Sequence, residues 1–393
     1  MDEHVSNDVD RAAVAWRAFA RALMRHGARS PVALGALALA TSCGLHDRPD
    51  VDDGPSLGGA GGDGTIGAVV DAGVGEAGSG GVGGAGGTGG VGEATTLAEG
   101  SFESLAISAG YLYVIDVGAE TRVARVPVAG GALEPISGVQ APGLYRLAAD
   151  DTFLYGAIFL TPTRSEFWRV PLANAGFTPE EGGVLLGEAR TSAALAVNAS
   201  ALVSLETRPS GRIVVRDVTR FDKTASEPGG KLLATVEPVF ADSLALDDEA
   251  AFILQGAEAS SFVLRLPLDG SDAANIAEAP PGGTLLDISV ARDRAVFASD
   301  MGVGHSPTRG GEGTLLTPQF AYRVRADSER AYYFTRDATC EDPTDIYRVP
   351  LGGGVPFRIG REAMGCIVDV VQDADALYWL TPDGRKIRRL DKD

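Results

Sequence analysis

The stretch Asp327-Ser-Glu-Arg-Ala-Tyr-Tyr-Phe-Thr335, followed by Tyr347-Arg-Val-Pro-Leu-Gly-Gly353, decides the fold. It reads as an acidic turn, a short aromatic strand, and a second short strand stopped by proline and glycine. Proline after two or three paired residues removes a ladder donor, and the glycines that follow supply turn conformations. Working outward, the same aromatic strand recurs as Tyr111-Leu-Tyr113, Phe153-Leu-Tyr155, Ala201-Leu-Val203, Ala251-Phe-Ile253, Ala295-Val-Phe297, Ala331-Tyr-Tyr333 and Ala376-Leu-Tyr378. Their last residues lie about 44 apart on average. The proline-stopped strand recurs as Arg125-Val-Pro127, Arg169-Val-Pro171, Arg216-Asp-Val218, Arg265-Leu-Pro267, Arg348-Val-Pro350 and Arg389-Leu-Asp391, with Gly130-Gly131 and Gly352-Gly353 behind two of them. The fifth repeat shows no such piece.

Short strands at even intervals of this length, with turn signals and no helical period, predict an all-β radial array in which each repeat is one blade of a propeller. Seven repeats predict a seven-bladed β-propeller over 95–393, and the weak fifth repeat leaves six blades as the alternative. The last repeat supplies three strands before Asp393, while Thr95-Thr96-Leu97 stands alone ahead of the first. That orphan strand fits the missing place, and closing the ring with it would protect the sheet edges.

Tyr378-Trp379-Leu380-Thr381 and, more loosely, Tyr332-Tyr333-Phe334-Thr335 resemble the Tyr-Trp-Thr-Asp (YWTD) propeller repeats and similar bacterial lipoprotein propellers. The resemblance implies the fold and says little about activity, because propellers host many functions.

Ahead of the repeats the chain reads as an address and a tether. Pro31-Val-Ala-Leu-Gly-Ala-Leu-Ala-Leu-Ala40 is apolar over ten residues, preceded by Arg25, His26 and Arg29 and followed by Thr41-Ser42-Cys43. This is too short to span a bilayer, which takes about 20 apolar residues, and has the order of a signal peptide over 1–42. Ala40-Thr41-Ser42-Cys43 resembles a bacterial lipobox, which implies that Cys43 becomes the first mature residue and carries acyl chains. Gly44 in place of aspartate implies the outer membrane of the cell envelope. Met24 opens a signal of normal length and is the expected translation start. From Gly54 to Gly92 glycine dominates, so the stretch cannot bury enough apolar area to offset its ordering entropy. Residues 43–94 therefore read as a disordered linker with a reach of roughly 40 Å.

The formal charge is −19, and removing 1–42, with five Arg and four carboxylates, leaves −20. Such a surface repels nucleic acid and anionic lipid, so contact with the membrane is expected through the anchor alone. With Cys43 lipidated, Cys340 and Cys366 form an even pair in an oxidising compartment, on loops that emerge on one face of an antiparallel blade, and are expected to form a disulfide. They lack the partners a zinc site needs. Asp150-Asp151, Asp247-Asp248, Asp327 and Asp373 recur where the first and second strands meet, and turn closure is favoured there over calcium, which wants six or more converging oxygens. No cofactor or metal is expected.

His305 lies in the stretch Asp300-Met-Gly-Val-Gly-His-Ser-Pro-Thr-Arg-Gly310. This reads as a solvated loop on the face shared by the cysteines, with Asp300, His305 and Arg309 as candidate contact residues. No nucleophile turn is present, and no catalytic residue is assigned. The favoured function is a monomeric, non-catalytic binding or scaffold propeller that recruits an envelope protein or glycan through loops on one face. The alternative is a lyase or hydrolase acting at the central channel.

Overall fold

The computed structural model describes residues 92–393 apart from 119, 141–142, 162, 173–181, 211–212, 226, 237–242, 258–259, 280–282, 336–341 and 364. Every regular element in the described residues is a β-strand, and the strands form seven antiparallel sheets of four. Six blades are built in chain order from 102–140, 144–189, 192–236, 244–278, 285–317 and 323–362. The seventh takes three strands from 370–391 and its outermost from Thr95–Glu99, which pairs with Lys386–Asp391. The orphan strand thus closes the ring, and the count is seven. The first strand of each blade contacts the first strand of the next, and that of the seventh contacts that of the first, so these strands line the centre.

The second strands explain why the sequence shows aromatic runs here and not alternation. Leu112 and Val114 pack into the seam with blade 7, whereas Tyr113 and Ile115 pack into the seam with blade 2. Strands buried on both faces read as continuous apolar segments. Seven apolar clusters result, one for each seam. In the last blade Trp379 is fully buried in the seam with blade 6, where its indole donates to Glu362 Oε2 at 3.0 Å.

The register corrects two assignments. The residues equivalent to Tyr113 and Tyr155 in blades 4, 5 and 6 are Phe252, Val296 and Tyr332, one position before Ile253, Phe297 and Tyr333. A one-residue offset exchanges the two faces of a strand. Both faces are apolar here, so composition did not distinguish them. In blade 3, Arg220-Phe-Asp222 occupies the level of the Arg-Val-Pro strands, not Arg216-Asp-Val218. The fifth blade does possess its third strand, Gly302–Pro307.

The acidic turns close as their chemistry predicts. Asp150 Oδ1 accepts the amides of Thr152 and Phe153, both at 2.8 Å, and Asp247, Asp327 and Asp373 repeat the pattern. Asn198 does the same in blade 3. Asp150, Asp327 and Asp373 also accept the phenols of Tyr155, Tyr332 and Tyr378, at 2.7, 2.8 and 2.7 Å. Blade 1 turns instead on left-handed Ala109 and Gly110, with φ of 49° and 78°.

Deleting residues 92–99 strips Leu97 and Ala98 from the seam between blades 7 and 1 and bares the edge of Lys386–Asp391. The truncated domain is expected to lose on the order of 3 kcal/mol or more in urea unfolding and to self-associate through that edge. An unchanged midpoint and a monomeric profile would contradict the closure described.

Candidate functional site

The centre of the ring is where a propeller offers converging side chains, and here it is built from one repeated necessity. Each first strand has a sheet partner on one side only, so its inner edge carries amides and carbonyls that need other partners. One register level is aliphatic all round: Leu105, Leu147, Leu195, Leu244, Ile288, Val324 and Val370. The residue just before it is polar in six blades: Ser104, Arg146, Ser243, Asp287, Arg323 and Asp369, with Ala194 in the third.

These polar residues bond to the next blade. Ser104 Oγ accepts the Leu147 amide at 3.1 Å, and Ser243 Oγ accepts that of Ile288 at 3.0 Å. Asp287 Oδ2 accepts that of Val324 at 2.9 Å, and Asp369 Oδ2 accepts that of Leu105 at 3.0 Å, which links blade 7 to blade 1. The arginines address carbonyls instead. Arg146 Nε donates to Ala193 O at 3.0 Å and Arg323 Nη2 to Val368 O at 3.2 Å. The joint between blades 3 and 4 is made at the other end of the strands, where Asn198 Nδ2 donates to Asp247 O at 2.7 Å.

Asp287 is the hub. Although buried, its Oδ1 accepts the Ser243 hydroxyl at 2.5 Å, and its Oδ2 also accepts Arg325 Nη1 at 2.9 Å, so one carboxylate holds blades 4, 5 and 6. A carboxylate whose two oxygens are both engaged in this way acts as an electrostatic clamp, because the geometry leaves its lone pairs committed to the frame.

Charge is also buried at the turn end of the seams. Lys223 joins Asp150 of blade 2 to the Asn198 carbonyl of blade 3, and Lys392 joins Asp327 of blade 6 to the Asp373 carbonyl of blade 7. Burial pushes the Asp150 carboxyl up, but Lys223, the Tyr155 phenol and two amides outweigh it and hold it below the usual carboxylate range. Burial holds the Lys392 ammonium below its ordinary value against the pull of Asp327. In blade 3, burial raises the Glu206 carboxyl, which faces Asp217 across the second and third strands and accepts Ser204 Oγ at 2.9 Å and the Arg190 amide at 3.1 Å.

The residues singled out as a binding loop are not brought together. Asp300, His305 and Arg309 do not share a loop: Gly302–Pro307 is a strand, with Asp300 before one end and Arg309 beyond the other. Asp300 Oδ1 caps the Thr284 amide at 2.7 Å, and exposed Arg309 pairs with Glu249 of blade 4 at 3.0 Å. His305 is buried, and its Nε2 lies 3.1 Å from Leu351 O of blade 6. That places it toward the proline-turn end of its strand, away from the end that carries Cys366. The third-strand signal was missed because histidine stands where the other repeats have an arginine, and glycines at 302 and 304 read as a loop. Cys366 packs beside the cluster of Tyr322, Phe334, Ile367 and Trp379; Cys43 and Cys340 lie outside the described residues.

No family model and no curated protein matches the chain. Solved structures do. An oligogalacturonate lyase in complex with manganese superposes with a TM-score of 0.53 at 12% identity, over 76% of this chain and 92% of the lyase. An acylaminoacyl peptidase bound to Z-Gly-Gly-Phe-chloromethyl ketone gives 0.50 at 9% identity, over 75% of this chain and 52% of the peptidase. BamB from Moraxella catarrhalis gives 0.43 at 10% identity, over 74% of this chain and 85% of its own. At such identities the first two share the fold with this chain and nothing finer.

Asp287→Ala leaves Ser243 Oγ, the Val324 amide and Arg325 without their shared acceptor. The variant is expected to lose about 3–5 kcal/mol in denaturant unfolding, the cost of breaking a buried charged network from one side. A loss below about 1 kcal/mol would place Asp287 outside the frame.

Proposed function

We propose that the chain is an exported, lipid-anchored, non-catalytic propeller of the bacterial envelope that recruits a protein or glycan through the hairpins on one face of the ring. The observation that carries this reading is the unequal reach of those hairpins. All second strands start at the same level, after the turn from the first strand, so extra length projects at the far end. In blade 3 the second and third strands are each 10 residues long, and in blade 2 they are 9 and 8. In blade 5 both are 6, and in blade 7 they are 5 and 6. Blades 2 and 3 therefore carry the longest paired strands toward that face, the kind of uneven surface on which rigid scaffolds carry recognition. The buried charges at the centre meanwhile serve the seams, as Asp287 does.

The anchor and address belong to the same reading. They rest on the Ala40-Thr41-Ser42-Cys43 box and the glycine-rich 43–94 segment, which would hold a monomeric domain clear of an outer-membrane surface. Kinship with YWTD-like lipoprotein propellers rests on Tyr378-Trp379-Leu380-Thr381. The reading includes a Cys340–Cys366 disulfide, supported by the loop positions in blades 6 and 7; closing a loop of about 25 residues stabilises by roughly 3 kcal/mol in the chain-entropy account.

Two experiments test this. Cys43→Ala in the producing cell is expected to abolish acylation and move the protein from the membrane fraction to the soluble envelope fraction; unchanged fractionation would remove the anchor. Crosslinking in intact cells, with a tether-only control, is expected to retain a stoichiometric protein or glycan that is lost when the hairpins of blades 2 and 3 are shortened to the length found in blade 5. Capture that survives the shortening would move the contact elsewhere. The disulfide is checked by non-reducing peptide mapping, which should yield one linked peptide pair containing Cys340 and Cys366.

A further inference from the structure

Among the described residues His305 is the one histidine, and it stands at a level that is otherwise arginine. Opposite the second-strand residues Tyr113, Tyr155, Val203, Phe252, Val296, Tyr332 and Tyr378 stand Arg125, Arg169, Arg220, Arg265, His305, Arg348 and Arg389. In three blades this arginine reaches over the seam to a carbonyl at the proline turn of the next blade. Arg220 Nη1 donates to Leu268 O at 3.2 Å, Arg348 Nη1 to Lys392 O at 2.6 Å, and Arg389 Nη1 to Val128 O at 3.0 Å. His305 addresses the equivalent Leu351 O. A carbonyl only accepts, so Nε2 carries the hydrogen and Nδ1 is bare in the neutral ring. Nδ1 is buried and has no hydrogen-bond partner. Arg294 Nη1 donates to the same Leu351 oxygen, at 2.7 Å.

We propose that the seam between blades 5 and 6 is the acid-sensitive joint of the ring: protonating His305 at Nδ1 sets a second cation beside Arg294 on one carbonyl and a new donor with no acceptor, inside an apolar seam, so that Gly302–Pro307 opens more readily from the turn at Leu351. The surroundings favour the neutral ring. Burial and Arg294 depress the proton affinity of His305, and Asp293, with the Leu351 carbonyl, only partly offsets them. Blade 6 brings Val349, Leu351 and the phenols of Tyr333 and Tyr347 to this seam, with Glu329 and Arg330 in the turn below. The fourth strand of blade 5 pairs Thr314 with His305, and Glu312 precedes it. The unfolded or opened state therefore takes the proton first. The joint is at full strength above the ordinary histidine value of about 6.5 and weakens as pH falls from there toward the depressed folded value, below which the loss levels off.

Hydrogen exchange of the full-length protein at pH 7.5, 6.5 and 5.5, corrected for intrinsic chemistry and read by peptide, tests this. Peptides over 302–307 and 344–351 are expected to open more readily below about pH 6.5, by up to about tenfold per pH unit, the bound for a one-proton linkage. His305→Arg restores the residue of the other blades and should make both peptides insensitive to pH. His305→Gln keeps a donor for Leu351 O without a titrating ring and should do the same, which decides the matter if the arginine variant does not fold. Opening that is flat with pH in the parent protein, that persists in both variants, or that appears instead in blade 3 around Glu206 would overturn the proposal.

Discussion

An innermost strand in a ring of sheets is an edge strand that cannot be covered by another strand. Its unpaired amides and carbonyls face the centre, and leaving them bare away from water costs about as much as losing the bonds outright. The chain meets this mostly with single side chains from the preceding blade, a hydroxyl or carboxylate where the neighbour offers an amide and a guanidinium where it offers a carbonyl, while Gln372 of blade 7 reaches back to the Ala326 carbonyl of blade 6. Much else follows from that constraint. It explains why Asp287 is buried at 2% exposure without being an orphan charge. It also makes neighbouring blades mutually dependent, since removing one acceptor unsettles two seams.

What could be read from the amino acids divides along the same line. The second strands and their turns were legible because one physical demand is met by one residue type in most blades: aspartate caps the turn amides, and tyrosine or an aliphatic residue fills both faces. The ring of strand-edge caps was not legible. Serine, aspartate and arginine do the same work there by opposite hydrogen-bond polarity, so no letter repeats at the period, and the Leu105 amide and Asp369 meet only through closure. The fifth blade failed for a related reason. Glycine stands at 304, where an added Cβ would meet the Phe297 ring and Thr314 O, and histidine replaces the arginine at the seam.

The two ends of the strands have different tasks. At the proline-turn end the blades are nearly uniform, with a residue after the proline position donating its amide back to the first turn in every blade, from Val128 to Lys392. At the hairpin end the lengths diverge. Uniform bonding fixes one side of the disc as frame, which leaves the other side free to vary in length without disturbing the seams. That division is what lets a rigid ring host different recognition or chemistry on the same frame.

The closing strand has a kinetic side. Thr96 and Arg388 bond across 292 residues of chain, so the first strand of the ring to leave the ribosome finds its partner only when Lys386–Asp391 follows. Loop-closure entropy of that length must be met before the contact gives anything back. The six blades built from consecutive residues can form as local hairpins, and the seventh can only complete. Any product ending before residue 386 leaves Thr95–Glu99 with no ladder to join, so ring closure waits on synthesis through the last strand of the seventh blade.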